Sequence, residues 1–335
     1  MENLNGTKIE GPLQKKLKIA ILHHDLEPAE LKFREMFQQK GCFVDFLDIR
    51  NISEEHLLGY DFVFNRVYSS VASRDYIILN KTLCFLKFLE DKGIFCANSF
   101  KASLADYNKF ELFNFLSKFG IPTPPTIFVS SRHAIEKHAK EAISNFGLPI
   151  VVKRNCGGKS YQVTRAHSFE ELIQILNEMF DLAEEQKYYA GFILQKFIKS
   201  IKDHDCRVGV VNGEFVFSYA RSYIARNSED RWMSSTSGGS YEFPYLVSEA
   251  EKDIAIKASL AIGACFSESD IIFTEDGPYV IEVNPSPGYF VDSFDDLERM
   301  DTLVNKLLDS LNPLPKSNTQ EIQEVQNIQE LEVYY

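Results

Sequence analysis

Asp270-Ile-Ile-Phe-Thr-Glu-Asp-Gly-Pro-Tyr-Val-Ile-Glu282-Val-Asn284-Pro-Ser-Pro-Gly288 sets two β-rich runs, Ile271–Thr274 and Tyr279–Val283, on either side of Glu275-Asp276-Gly277-Pro278. That arrangement predicts a hairpin. Strand side chains alternate between faces, which puts Glu282 and Asn284 on one face and Ile281 and Val283 on the other. With a three-residue loop, Glu275–Gly277, Asp270 falls opposite Glu282. Three oxygen-bearing side chains then meet at one end of the hairpin. A hard cation such as Mg2+ takes such donors together with substrate phosphates. Solvent-facing polar positions are the plainer account of two acidic residues. Against it stands Asn284-Pro-Ser-Pro-Gly288, a proline-stiffened irregular loop placed directly after an acidic strand. An ordinary turn does not require it.

Working outward, 335 residues with 44% hydrophobic content can bury a large core divided among two or three lobes. A formal net charge of -12 argues against a general binder of nucleic acid or anionic membrane. Cys42, Cys84, Cys96, Cys156, Cys206 and Cys265 form no C-x-x-C pair and no zinc-like spacing, which fits a reducing compartment. Met1–Lys16 is polar, and no apolar run is long enough to span a bilayer. The expectation is a soluble, cytoplasmic protein with a flexible leader over residues 1–16.

From residue 17 to 99, strand and helix patterns alternate: Leu17–Leu22, helix Pro28–Gln39, Cys42–Leu47, Phe62–Asn65, helix Tyr76–Leu89 and Ile94–Cys96. Short links between such elements predict a parallel α/β sheet, which binds ligands beyond the carboxyl ends of its strands. His23 and His24 follow the first strand, and Asn65-Arg66 follows the third. Arg66 has the planar fork that suits a substrate carboxylate, and a surface ion pair is an equally good account of it.

Beyond residue 99 the parts fall into a known order. The hairpin with Glu282-Val-Asn284-Pro-Ser-Pro-Gly288 resembles the metal-binding end of ATP-grasp enzymes, above all the RimK-like carboxylate–amine ligases. Lys109 opens an amphipathic helix that is stopped by Gly120, and Ile121-Pro-Thr-Pro-Pro-Thr126 follows, similar to the family's entry to its ATP-binding lobe. The resemblance makes Lys109 a phosphate-binding lysine; read alone it is a solvated helix charge. Pro149-Ile-Val-Val-Lys153 runs into Gly157-Gly158, which resembles the glycine-rich lid with Lys153 as the second phosphate lysine. Ser160 and Gln162 stand where ligases of this type carry further glycines. Gln195, Lys196, Phe197 and Ile198 resemble the hinge whose backbone faces adenine, with Asp205 on the ribose side. Asn212-Gly213 is a type I′ turn signal joining Arg207–Val211 to Glu214–Tyr219. Arg221 ends that second strand where the family sets an arginine over the transferred phosphate; structural ion pairs are the competing account of Arg207 and Arg221. Arg231-Trp232-Met233 departs from the family loop, which carries an arginine after its aromatic residue, so Arg231 is a substrate contact only in a shifted register. Metal ligands by resemblance are Asp270, Glu282 and Asn284.

The expected fold is α/β: an N-terminal parallel α/β lobe (17–99), then two ATP-grasp subdomains (100–190 and 191–312) that sandwich ATP. An acidic polar tail (313–335) reads either as disordered or as a short amphipathic helix. The resemblance implies an ATP-dependent carboxylate–amine ligase that uses two Mg2+ ions (or Mn2+), makes an acyl phosphate, and joins an amino acid or peptide to an amine. It is compatible with a homodimer. Two rivals share the residue set: an ATP-grasp kinase acting on a hydroxyl, and a protein that binds ATP without turning it over.

Overall fold

The computed structural model of the chain describes residues 16–225, 231–235 and 238–311. The first lobe is a parallel sheet of order β2-β1-β3-β4, with β1 Lys18–His23, β2 Phe43–Asp48, β3 Phe62–Asn65 and β4 Phe95–Ala97. Helix α1 (Pro28–Gln39) crosses from β1 to β2 and helix α2 (Tyr76–Asp91) from β3 to β4. β1 and β3 are short apolar runs buried on both faces, with Ile19, Ala20, Ile21 and Leu22 all 0% exposed, as a sheet covered by helices demands, while the edge strand β2 is only partly buried. α3 (Phe100–Tyr107) and α4 (Lys109–Lys118) meet at Asn108, whose Oδ1 accepts from the Glu111 N–H at 3.0 Å and so restarts the helix at Lys109.

Two antiparallel sheets follow. The first has order β5-β8-β6-β7, from β5 Thr126–Val129, β6 Ile150–Arg154, β7 Thr164–Ala166 and β8 Phe192–Lys196, backed by α5 (Ile135–Phe146) and α6 (Phe169–Glu185). In the second the order is β13-β10-β9-β14-β15, with β9 His204–Val211, β10 Glu214–Ser222, β13 Glu242–Pro244, β14 Phe266–Thr274 and β15 Gly277–Asn284. It packs on α7 (Glu249–Ala261), while α8 (Phe294–Leu311) lies against the first lobe's α1. A small ribbon pairs β11 (Ile224–Ala225) with β12 (Arg231–Met233). The result is the mixed α/β architecture expected. Ser168 and Ser248 cap α6 and α7 through the N–H groups of Glu171 and Glu251, as their spacing predicts. Asn212 and Gly213 both have positive φ, +51° and +77°, the type I′ requirement.

Strand pairing redraws one boundary. A division at residue 191 would cut β8 from the sheet in which it pairs with both β5 and β6. Likewise Ala102, Ala105, Leu112 and Leu116 of α3 and α4, expected with the first antiparallel sheet, share a core with Val208, Val210 and Ile271 of the second. The tail, most of the leader and part of the 227–239 loop lie outside the described residues. Among those described, no helix is long and apolar enough to cross a membrane.

Candidate functional site

The acidic hairpin forms, with a difference in detail. Asp270 pairs with Glu282 across the ladder, yet Thr274 pairs with Gly277, so the turn is shorter by one residue than the three-residue loop expected. A bulge between the pairs Asp270–Glu282 and Ile271–Val280 restores the register. The extra residue is Ile281. It turns to the cavity with Glu282, while Val280 and Val283 pack in the core. The expectation that Ile281 and Val283 share a face is therefore corrected by the bulge, which a strict two-residue period cannot anticipate.

A cavity of about 1000 Å3 opens between the two antiparallel sheets and beneath the first lobe. Every candidate phosphate, nucleotide, metal and substrate residue named from the sequence lines it, whereas His23 and His24 do not. Gln195, Lys196, Phe197 and Ile198 sit at one end, where the Gln195 amide donates to the Thr126 hydroxyl at 2.8 Å. Phe197 and Trp232 meet edge-on, with the Arg165 guanidinium 4.8 and 4.6 Å from their rings. Gly157 and Gly158 also line it, as does Arg231, which is exposed. Lys159, Ser160 and Gln162 of the lid adopt φ of +57°, +55° and +54°. These left-handed positions include the two where glycine was expected, so the loop takes a glycine-type path with side chains that resist it.

The charged end is closely matched. Lys109 Nζ donates to Glu282 Oε1, and Lys153 is buried beside them. Burial and the charge on Lys109 together lower the Lys153 pKa to about 8. For Lys109 burial works in the same downward direction, but Glu282 outweighs it and the pKa rises. Asp270 is gripped by both forks of Arg207, at 2.6 and 3.0 Å, and by Arg221 at 2.9 Å. Burial opposes ionisation there, yet the two guanidinium groups hold the Asp270 carboxyl down at about 2. Arg221 also binds Asp205, at 3.0 and 2.6 Å, and Ser234 donates to the same carboxylate. Asp205 was expected on the ribose side; its oxygens are held by Arg221 and Ser234.

Among the described residues, no three His, Cys, Asp or Glu side chains cluster as a self-sufficient metal site. The hairpin offers two carboxylates and an amide, Asp270, Glu282 and Asn284, all on the cavity wall. That oxygen-only set fits a hard cation whose remaining positions come from phosphate. Lys109 is paired with Glu282, and Arg207 and Arg221 with Asp270.

Arg66 is placed differently from a surface fork. It is 2% exposed, donates from Nε to Glu30 at 3.0 Å and from Nη2 to the Pro287 carbonyl at 2.9 Å, and is ringed by Phe33, Phe64 and Tyr289. His23 and His24 are buried at the end of β1, outside the cavity lining. No motif marks Asn98, which fixes the loop after β15 by donating to the carbonyls of Phe266 and Pro285 at 2.8 and 2.7 Å and accepting from the N–H groups of Cys265 and Phe266. Ser69, Ser70 and Asp106 also line the cavity. Their one signal in the sequence is position: Ser69 and Ser70 follow the third parallel strand, where such sheets meet ligands.

Comparison with known proteins agrees with this geometry. Residues 106–302 match the model of the RimK-like ATP-grasp domain. A protein of Haemophilus influenzae named "Probable alpha-L-glutamate ligase" is 29% identical over 257 residues, covering 76% of this chain and 78% of its own. In fold, the chain is similar to a RimK-domain ATP-grasp protein from Sphaerobacter thermophilus (TM-score 0.62, 15% identity, 86% of this chain and 98% of that one). It is also similar to a D-alanine–D-alanine ligase from Bacillus anthracis complexed with ATP (TM-score 0.62, 16% identity, 94% and 99%).

Proposed function

The chain belongs to the RimK-like ATP-grasp family, and from that premise we propose that it joins a carboxylate to an amine, forming an amide or peptide bond through an acyl phosphate and releasing ADP and phosphate. One observation carries the reading: a single cavity sets Lys109, Lys153 and Arg221 against Asp270 and Glu282. A carboxylate is a poor electrophile because its leaving group would be oxide. Phosphorylation by ATP replaces that with phosphate, after which an amine can attack.

Little covalent work falls to the protein in such a transfer; it positions groups and offsets charge. Lys109 and Lys153 offset charge on the nucleotide phosphates, and Arg221 faces the phosphoryl group in flight. Gly157 and Gly158 cover the site so that water does not hydrolyse the acyl phosphate. The hinge residues Lys196–Ile198 present backbone to adenine, with Asp205 holding Arg221 in place. Asp270, Glu282 and Asn284 would hold two Mg2+ ions, or Mn2+. When bound, these supply positive charge at the phosphates. The substrates are small amino acids or peptides, and glutamate is the first to test, given the name of the Haemophilus influenzae relative. A reducing cytoplasmic setting suits its six free cysteines.

Release of ADP and phosphate from ATP and Mg2+, screened over pools of amino acids and short peptides, tests this. ADP and phosphate formed together only when carboxylate and amine are both present is the expected result, with Glu282→Gln lowering the rate at least a hundredfold. ADP without phosphate, tracking a hydroxyl compound, would make the protein a kinase. Binding of ATP with no turnover in any pool would leave it a nucleotide-binding protein.

A further inference from the structure

We propose that Ser70, contributed by the first lobe, is a binding residue for the phosphoryl group as it is transferred; this rests on the reading that the cavity holds ATP and donates its terminal phosphoryl to a carboxylate. The observation behind it is an unsatisfied hydroxyl. Ser70 is 8% exposed, lines the cavity, and its Oγ is buried without a hydrogen-bond partner among the described residues. A buried hydroxyl left unpaired costs about 1–3 kcal/mol, and native proteins seldom carry one without a reason.

Its surroundings say what kind of partner is missing. The lid presses on this point: a Cβ added at Gly158 would stand 3.2 Å from Ser70 Cβ and 3.6 Å from both Ser69 Oγ and the Ser70 backbone nitrogen. A side chain at Gly158 would crowd Ser70 and require it to give by a few tenths of an ångström, so glycine eases the close approach. The turn that carries Ser70, Ser69–Ser73, is a single 3-10 turn after β3 and is anchored from outside itself. The Ser69 N–H donates to Asp106 at 3.2 Å, and the Tyr107 hydroxyl donates to the Val67 carbonyl. Asp106 and Tyr107 immediately precede Asn108 and Lys109. The chain segment that sets the phosphate lysine therefore also sets Ser70, and the lid closes over both.

In the transfer, the bond from the terminal phosphorus to the bridging oxygen breaks, and ADP leaves with that electron pair. A carboxylate oxygen forms the new bond to phosphorus. Negative charge is spread over the three oxygens that lie around the phosphorus between the two partners. Lysines answer that charge from a distance, whereas a hydroxyl answers it by a directed hydrogen bond. Ser70 has no hydrogen bond among the described residues to break before it donates, and it keeps its proton throughout.

The test does not depend on turnover. MgADP with aluminium fluoride mimics the flat phosphoryl group, and its affinity relative to MgADP alone is measured on the full chain by calorimetry. For Ser70→Ala the expected result is MgADP affinity within about twofold of wild type and a loss of about tenfold or more in the fluoride-dependent gain, a change of about 1.4 kcal/mol. Ser73→Ala removes the hydrogen bond from Ser73 to the Ser70 carbonyl and keeps the Ser70 hydroxyl, so both affinities should stay as in wild type. Three results overturn the proposal: an undiminished fluoride-dependent gain in Ser70→Ala, an equal loss of MgADP affinity, or no gain in wild type. In turnover, Ser70→Ala should lower kcat with the KM for ATP unchanged; a rise confined to the KM of the carboxylate substrate would assign the hydroxyl to that substrate instead. A wild-type protein that gains affinity with fluoride yet turns over no carboxylate–amine pair would defeat the ligase reading and leave the phosphoryl contact standing.

Discussion

Arg66→Met removes a guanidinium whose side chain, like that of its partner Glu30, is 1% exposed. Glu30 is then left as a buried carboxylate without its cation, and the Pro287 carbonyl loses its donor. Breaking a buried pair from one side costs about 3–5 kcal/mol, and an orphaned buried acceptor about 1–3 kcal/mol. The two overlap, since they share one side chain, so the expected loss is about 4 kcal/mol, a large part of the 5–15 kcal/mol typical of a domain. Adding Glu30→Gln removes the stranded charge and keeps an oxygen for the Glu27 N–H, which now donates to Glu30 Oε2 at 3.1 Å. That double variant should recover about half of the loss. Urea unfolding of the ligand-free protein, compared at equal m-value, gives both numbers. If Arg66 instead grips the substrate carboxylate, the single variant will lose under about 1 kcal/mol while the KM of that substrate rises at least tenfold. That outcome would refute a structural role for Arg66.

Other outcomes follow from the lid and the lysines. Ser160→Gly replaces a side chain held at φ +55° and should be neutral or stabilise the lid by up to about 1 kcal/mol, where glycine ordinarily weakens a chain; hydrogen exchange across residues 157–163 reads it. Lys153 has a pKa near 8 in the folded chain against an ordinary 10.5. Between those values the folded state binds fewer protons than the unfolded, so the ligand-free protein should gain stability as pH rises from 8 towards 10.5. Lys153→Met should abolish that part of the slope, as measured by urea midpoints across the range.

The strongest signals in the sequence were local ones. Strand–helix alternation gave the parallel first lobe because each βαβ unit is built from neighbours in the chain. Asp270 and Glu282 could be set opposite each other because both lie within one hairpin. The bulge at Ile281 was invisible, since it is a property of backbone pairing and leaves the residue types unchanged. The order β5-β8-β6-β7 was equally hidden: β8 reaches its partners across more than sixty residues of intervening chain to β5, and nothing in its side chains names them. Arg66 shows the limit at a single position. Its type was legible as a fork for an oxygen acid, but whether that acid is a substrate or Glu30 depends on how α1 packs. Asn98 gave no signal and Ser70 only its position after the third strand, because their partners, Pro285 and Gly158, lie far along the chain and are met only on folding.

One feature of the core bears on how this enzyme could be rebuilt. Phe33, Phe62 and Phe64 of the first lobe share a buried cluster with Phe266 at the start of β14 and with Met300, Leu303, Val304 and Leu307 of α8. The recognisable family segment begins at residue 106, yet cutting there would strip the cover from that cluster and unfasten Asn98 from the loop after β15. A chimera designed to borrow a relative's acceptor preference by exchanging residues 17–99 would inherit a mismatched seam. The transplant would have to carry α8 and the Cys265–Phe266 edge with it, so the unit that must move together is discontinuous in sequence.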